Sequence, residues 1–238
     1  MKEPETMRQH ISKRYDQELE DIRNRVLTMG GLVERQVSEA IRSIIESDLE
    51  AAEAVVVNDV KVNTLEVSID EECTHILARR QPAATDLRLV IAVIKTITDL
   101  ERIGDEAKRI ARQRIDMDGQ CVKPRQFAEF EQLGQHVLKM LRETLDAFAR
   151  LDVKLSLAVA QEDKKVDREY DSIMRQQMTY LTEGPQMIPV ALDVMWAARA
   201  LERIGDRCCN ICEYVIYQVK GKDIRHISLD LVEKDLAP

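Results

Sequence analysis

Acidic side chains set one helical turn apart are what this sequence offers to chemistry. The hexapeptide LERIGD occurs twice, at Leu100–Asp105 and, letter for letter, at Leu201–Asp206. Each copy puts a Glu four residues ahead of an Asp, so on a helix Glu101 stacks over Asp105 and Glu202 over Asp206, with β-carbons about 5–6 Å apart. Such like charges repel by a few tenths of a kcal/mol. An interior glycine costs a helix about 0.8–1 kcal/mol against alanine. Something should offset both costs, and a shared cation would remove the repulsion.

A second acidic stripe is Asp59, Asn63, Glu66 and Asp70, at the i, i+4, i+7, i+11 spacing of one helix face. Later in the chain Asp163 and Asp167 resemble Asp59 and Asn63, while Tyr170 and Met174 stand where Glu66 and Asp70 stood. Oxygen-rich stripes that face each other suit a di- or trivalent metal ion. Carboxylate ligands favour magnesium, calcium, manganese or iron over zinc, and the candidates for this chain are iron, zinc, magnesium and manganese. Gly104 and Gly205 fit room for ions beside Asp105 and Asp206, and equally a close helix crossing with no metal. Asp163, Asp167 and Asp171 also fit a solvated face paired with Lys164, Lys165, Arg168 and Arg175. Arg102, repeated as Arg203, has Asp105 within i+3 reach, which predicts an intrahelical ion pair.

The elements that must position these acids read as helices. Leu19, Ile22, Val26, Met29, Val33, Val37, Ala40 and Ile44 form one 3.6-residue stripe within a first helix over 11–47. Ser47-Asp48 is an N-cap signal for a second helix, interrupted at Gln81-Pro82. A third starts near Thr85-Asp86 and carries Val90, Val93, Ile97, Leu100 and Gly104. Asp116 to Pro124, with an Asp-Gly step and no periodic pattern, marks the break between halves. A fourth helix is predicted over 126–150, a fifth over 153–181 and a sixth over 190–218, with the Thr182–Pro189 loop before the last. The expected fold is all-α: six long antiparallel helices as two duplicated three-helix bundles, 1–118 and 119–220, with a less regular tail at 221–238.

Composition agrees. Of 238 residues, 45% are hydrophobic and only 4% aromatic, with 8 Gly and 6 Pro, too little turn chemistry for a many-stranded fold. The net charge of −8 without a dense Lys/Arg block argues against nucleic-acid binding. Neither an apolar leader nor a membrane-length apolar run is readable, which predicts a cytoplasmic protein without membrane insertion. Cys73, Cys121, Cys208, Cys209 and Cys212 read as reduced, mostly buried thiols.

At these residues the chain resembles the PhoU family of phosphate-transport accessory regulators. The resemblance is carried by LEDIRNRVLTMGGLVERQV at 19–37, by DEECTHILARRQPAATDLRLVIAVIKTITDLERIGDEAKRIA at 70–111, and by ALERIGDRCCNICEYVIY at 200–217. It implies acid-x-x-x-Asp motifs in each half, multinuclear metal binding in some members, and homodimers. It also implies negative regulation of phosphate-starvation signalling between a phosphate ABC transporter, through its ATPase subunit, and a sensor histidine kinase. The family motif lands on Glu101 and Asp105, Glu202 and Asp206, on Asp163 and Asp167, and on Asp59 and Asn63 with an amide in place of one acid. That amide weakens the first site or makes it rely on Glu66.

Two other functions compete with a non-enzymatic regulator. A helical scaffold would use the acids only in surface ion pairs. A di-metal carboxylate oxidase would need Glu-x-x-His on two helices, and only Glu72 and His75 supply it from a regular segment, with Asp223 and His226 imitating it in the tail.

Overall fold

The computed structural model describes residues 13–119, 127–225, 227 and 231–232. Six helices cover most of these: α1 (Lys13–Ile45), α2 (Leu49–Arg80), α3 (Ala84–Asp116), α4 (Ala128–Arg150), α5 (Val153–Leu181) and α6 (Ile188–Lys220). No strand occurs among the described residues, so the all-α expectation holds. Two starts differ from the sequence reading. Helix α3 begins at Ala84 with no side-chain cap. Helix α6 begins at Ile188, after a 3-10 turn at Pro185–Met187, because Pro189 fits a first helical turn, where its missing N–H has no partner to lose. Cys121, Pro124 and His226 lie outside the described residues.

The duplication is visible in the corners. After α1, Ser47 takes a positive φ of 58° and the Asp48 side chain accepts from the Ala51 amide. After α4, Leu151 takes a φ of 54° and Asp152 accepts from the Lys154 and Leu155 amides. Each αL residue ends one helix and each Asp satisfies amides that the next helix leaves unpaired. The shared corner aligns the halves: Gly30 with Gly134, Asp48 with Asp152, Asp59 with Asp163.

Helices α1, α2 and α3 pack on one another, as do α4, α5 and α6, and the two sets meet where α3 lies on α6 and α1 on α4. One apolar cluster runs through both sets, from Leu19 and Ile22 of α1 to Ile211 and Val215 of α6. Where α1 meets α4 the two glycines allow close approach. A Cβ on Gly134 would stand 2.9 Å from Ile41 Cγ2, and one on Gly30 would run into Leu145 Cδ2.

Polar groups fix the register of α3 on α6. Asp99 is 2% exposed and accepts from the Tyr214 hydroxyl at 2.8 Å, with Arg207 Nη1 at 3.4 Å and Asn210 Nδ2 at 3.5 Å. Burial and the neighbouring Asp99 charge push the Tyr214 phenol above its usual range. One to two turns on, Glu106 meets Arg203 Nη1 at 3.2 Å. These pairs run antiparallel and bring the two LERIGD copies level across the seam. The Arg102 expectation is corrected here: its guanidinium reaches Asp99 at 4.0 Å on the same helix, not Asp105.

Past Gly221, whose φ of 69° ends α6, Ile224 and Val232 pack on Leu157 and Ile216. The start of the tail is thus held by the chain itself. Among the described residues no helix is long and apolar enough to cross a membrane.

Replacing Tyr214 by Phe leaves a buried carboxylate short of its closest donor. The expected loss is about 1–3 kcal/mol of unfolding free energy, measured by urea denaturation. An unchanged midpoint would mean that Arg207 and Asn210 suffice.

Candidate functional site

Each LERIGD copy buries its apolar letters and turns its acids toward a neighbouring helix. Leu100, Ile103 and Gly104 are buried on α3, and Leu201, Ile204 and Gly205 on α6. The acids sit beside that line, half-buried at Glu101, Asp105 and Glu202 and at the solvent edge at Asp206. Beside each glycine lie an acid and a valine of the adjacent helix, Asp59 and Val62 at Gly104, Asp163 and Val166 at Gly205. A Cβ on Gly104 would stand 3.6 Å from Asp59 Oδ1 and 3.2 Å from Gln36 Oε1, and one on Gly205 would stand 3.4 Å from Asp163 Oδ1. A carboxylate of α2 or α5 thus lies beside the glycine of α3 or α6, at ordinary contact distance from where a Cβ would stand.

The acids crowd one another in both halves. In the first, burial pushes the Glu66 and Glu101 carboxyls above the usual range, and the charges of Asp70 and Asp105 add to it at Glu66, those of Asp105, Glu66 and Asp59 at Glu101. In the second, burial raises Asp163 to about 6, with help from Asp167 and Asp206. Burial also raises Glu202, reinforced by Asp206, Asp167 and Asp163. Enclosure raises Asp206, against the opposing charges of Arg199 and Arg207. The structure thus draws Asp59, Glu66, Glu101 and Asp105 into one neighbourhood and Asp163, Asp167, Glu202 and Asp206 into another.

The surrounding groups differ between the halves. Asp59, 2% exposed, receives the Lys108 ammonium at 2.7 Å on Oδ2 and the Gln36 amide at 3.3 Å on Oδ1. Lys108 also lies 3.9 Å from Asp105 Oδ1. Glu202 receives Arg199 at 2.7 Å on Oε1, and that guanidinium lies 5.7 Å from the centre of the Tyr170 ring. Asn63 is half-buried on α2 and Asp167 is exposed on α5. Among the described residues Lys165 pairs with Glu162 and not with Asp163, Asp167 or Asp171, and Asp163 lies against α6.

The donor set is oxygen throughout and would suit a hard cation. Three buried oxygens near these acids have no hydrogen-bond partner: Gln36 Oε1, Asn63 Oδ1 and Glu202 Oε2. The side chains do not close on an ion-sized space, since among the described residues no three Asp, Glu, His or Cys groups converge as a metal site. The oxidase ligands are elsewhere. Glu72 pairs with Arg25 of α1, His75 is exposed, and His136 lies between Glu169 at 3.1 Å and Glu162 at 3.3 Å.

Lys108, Gln36 and Arg199 were not singled out by the sequence reading. Gln36 had a signal, being a polar residue directly beside Val37 in the apolar stripe of α1. Lys108 had one in the duplication, where Cys209 takes its place after the second LERIGD. The thiols are placed as expected: Cys73, Cys208 and Cys212 are buried and free, and Cys209 is half-buried. Burial pushes the Cys73 and Cys212 thiols up to about 12.

With that geometry in hand, comparison with known proteins is direct. The PhoU domain family matches twice, over residues 26–113 and 130–215. A curated relative from Pseudomonas aeruginosa, named phosphate-specific transport system accessory protein PhoU homolog, is 49% identical over 98% of this chain and 96% of its own length. The Escherichia coli (strain K12) phosphate-specific transport system accessory protein PhoU is 48% identical over 97% of this chain and 95% of its own. The crystal structure of PhoU from Pseudomonas aeruginosa superposes with a TM-score of 0.83 at 50% identity, covering 87% of this chain and 100% of that one. The phosphate transport system regulatory protein PhoU from Streptococcus pneumoniae gives 0.81 at 28% identity, covering 88% and 98%.

Raised carboxyl pKa values have a defined consequence for stability. Asp163 titrates near 6 when folded and near 3.8 when unfolded, so between those values the folded state holds the extra proton and stability falls as pH rises. The chelator-treated protein should melt at a higher temperature at pH 5 than at pH 7. Asp163→Asn should flatten that slope and raise the pH 7 melting temperature. Equal slopes in wild type and variant would show that Asp163 is solvated enough to ionise freely.

Proposed function

The chain belongs to the PhoU family, and on that premise we propose that it regulates phosphate uptake as a negative regulator of phosphate-starvation signalling. It would act in the cytoplasm, as a homodimer, between the ATPase subunit of a phosphate ABC transporter and a sensor histidine kinase. The observation that carries the reading is identity near one half along almost the whole of relatives named as phosphate-specific transport system accessory proteins. Long helices that leave broad faces to solvent suit contact with partner proteins, and the role proposed is one of occupancy, not of turnover.

We further propose that the acids serve this role by holding a di- or trivalent cation. Asp163, Asp167, Glu202 and Asp206 would hold it in the second half, and Glu101, Asp105, Asp59, Glu66 and Asn63 in the first. The ion would neutralise carboxylates that otherwise repel across α2–α3 and α5–α6. Support comes from the mutually raised Glu202 and Asp163 and the unpartnered Glu202 Oε2. A scaffold without functional metal is favoured by a different observation, the ammonium of Lys108 seated on Asp59.

Deletion of the gene should switch on a phosphate-starvation promoter reporter even in phosphate-rich medium, and the wild-type gene should silence it again. Complementation with Glu202→Ala plus Asp206→Ala separates the two readings. Failure to silence, with the variant present at wild-type level, ties the acids to signalling, whereas full silencing assigns them to the fold. A reporter that stays silent on deletion overturns the regulatory role itself.

A further inference from the structure

Helix α2 is apolar on two opposite sides. Val55, Val62, Ile69 and Ile76 belong to the core. On the other side Val57, Val60 and Val67 are 71%, 62% and 57% exposed, with Thr64 exposed between them. A solvated helix face has no use for valine, whose branched Cβ loses rotamer freedom against the preceding turn, and a helix that is apolar all round is one that is covered all round. The second bundle shows that the fold does not ask for valine here. The corner alignment puts Gln161, Lys164, Arg168 and Asp171 at the same places on α5, all of them exposed.

Spacing and charge say what covers this face. Val57, Val60, Thr64 and Val67 follow the three-four spacing of a heptad seam, whose positions receive the side chains of another helix and favour β-branched residues. At 1.5 Å per residue they span about 15 Å, roughly three turns. Glu53 and Glu71 continue the same line at its two ends, Asp70 lies beside it, and all three are exposed. Between Glu53 and Glu71 the helix carries one basic residue, Lys61, against five acids. The bases of the neighbouring helices are already engaged, Arg25 with Glu72 and Lys108 with Asp59.

We propose that the outer face of α2 is a docking site for an amphipathic helix of a partner protein, whose apolar stripe is flanked by Lys or Arg. The inference rests on the regulatory reading above and gives that reading a surface. Charge disfavours a second copy of this chain as the occupant. Laid parallel, Glu53 and Glu71 would each meet themselves; laid antiparallel with Val57 against Val67, Glu53 would meet Glu71. Acid faces acid either way, so the homodimer proposed above uses another face. A partner helix with bases at those places turns the same charges into attraction and fixes the register of valine on its own apolar residues.

The test places the photo-reactive residue benzoylphenylalanine at Val60 of the full chain, in the cells that make it, and reads the cross-linked peptide by mass spectrometry. Illumination should join position 60 to a segment of another protein with apolar residues at three-four spacing and Lys or Arg beside them. Adding Glu53→Lys and Glu71→Lys should cut the yield at least tenfold, and the photo-reactive residue at Lys164 should give no such product. Capture of a second copy of this chain, of a segment without the basic flank, or of nothing overturns the assignment, as does an unchanged yield with the two lysines. In parallel, Val57→Gln with Val60→Lys and Val67→Asp, which writes the α5 residues into α2, should melt no lower than wild type and fail to silence the promoter reporter. Full silencing by that variant also overturns the assignment, and if it does not fold the cross-link decides. A reporter that stays silent on deletion removes the regulatory reading alone, because the cross-link still reports whether the face is occupied.

Discussion

An acid of α2 or α5 that packing sets into the seam beside α3 or α6, away from water, is the constraint on which this molecule turns. A Cβ on Gly104 would stand 3.6 Å from Asp59 Oδ1 and one on Gly205 3.4 Å from Asp163 Oδ1, ordinary contact distances, with Gln36 Oε1 the tighter neighbour at 3.2 Å from Gly104. The glycines cost their helices some intrinsic stability, and what packs beside them is a valine methyl and a carboxylate together, Val62 with Asp59 at Gly104 and Val166 with Asp163 at Gly205. A buried charge is tolerable only when something opposes it. The two acidic neighbourhoods meet that requirement differently: an ammonium and an amide at Asp59, the Cys209 thiol and a carboxyl pKa raised by burial at Asp163.

The rest of the fold holds those two contacts in place. The α3–α6 seam is set by Asp99, Tyr214, Arg207, Asn210, Glu106 and Arg203, a polar network inside an otherwise apolar interface. Buried polar networks gain little net stability over apolar packing, but they penalise a shifted register because each shift strands a donor or a charge. Here the register keeps the two LERIGD copies level. The α1–α4 crossing at Gly30 and Gly134 closes the other side of the same core.

Duplication followed by divergence explains why the halves can differ without the fold noticing. Lys108 and Cys209, Gln36 and Met140, Glu66 and Tyr170 are exchanged at matching positions, while the apolar positions around them stay apolar. Lys108 and Cys209, and Glu66 and Tyr170, fall at the core's margin, where a side chain can turn either to water or to the neighbouring helix, while Met140 fills with apolar surface the buried place that Gln36 holds with an amide.

Much was legible from the sequence alone. Six helices, their corners and the pairing of Glu with Asp around each glycine follow from 3.6-residue periodicity, cap residues and spacing, all of which act within a turn or two of chain. The family motifs were legible for the same reason, being contiguous runs such as LERIGD. What periodicity cannot give is the partner of a side chain on another helix. Arg102 had both Asp99 and Asp105 in reach by spacing on its own helix and took Asp99; Lys108 had only Asp105 by spacing and bridged to Asp59 on α2. Choices of this kind depend on helix rotation and on which charges packing leaves out of water. Those are settled by burying one apolar core across all six helices, so only the tertiary structure decided that Lys108 crosses to Asp59 in the first half while Arg199 stays on its own helix with Glu202 in the second.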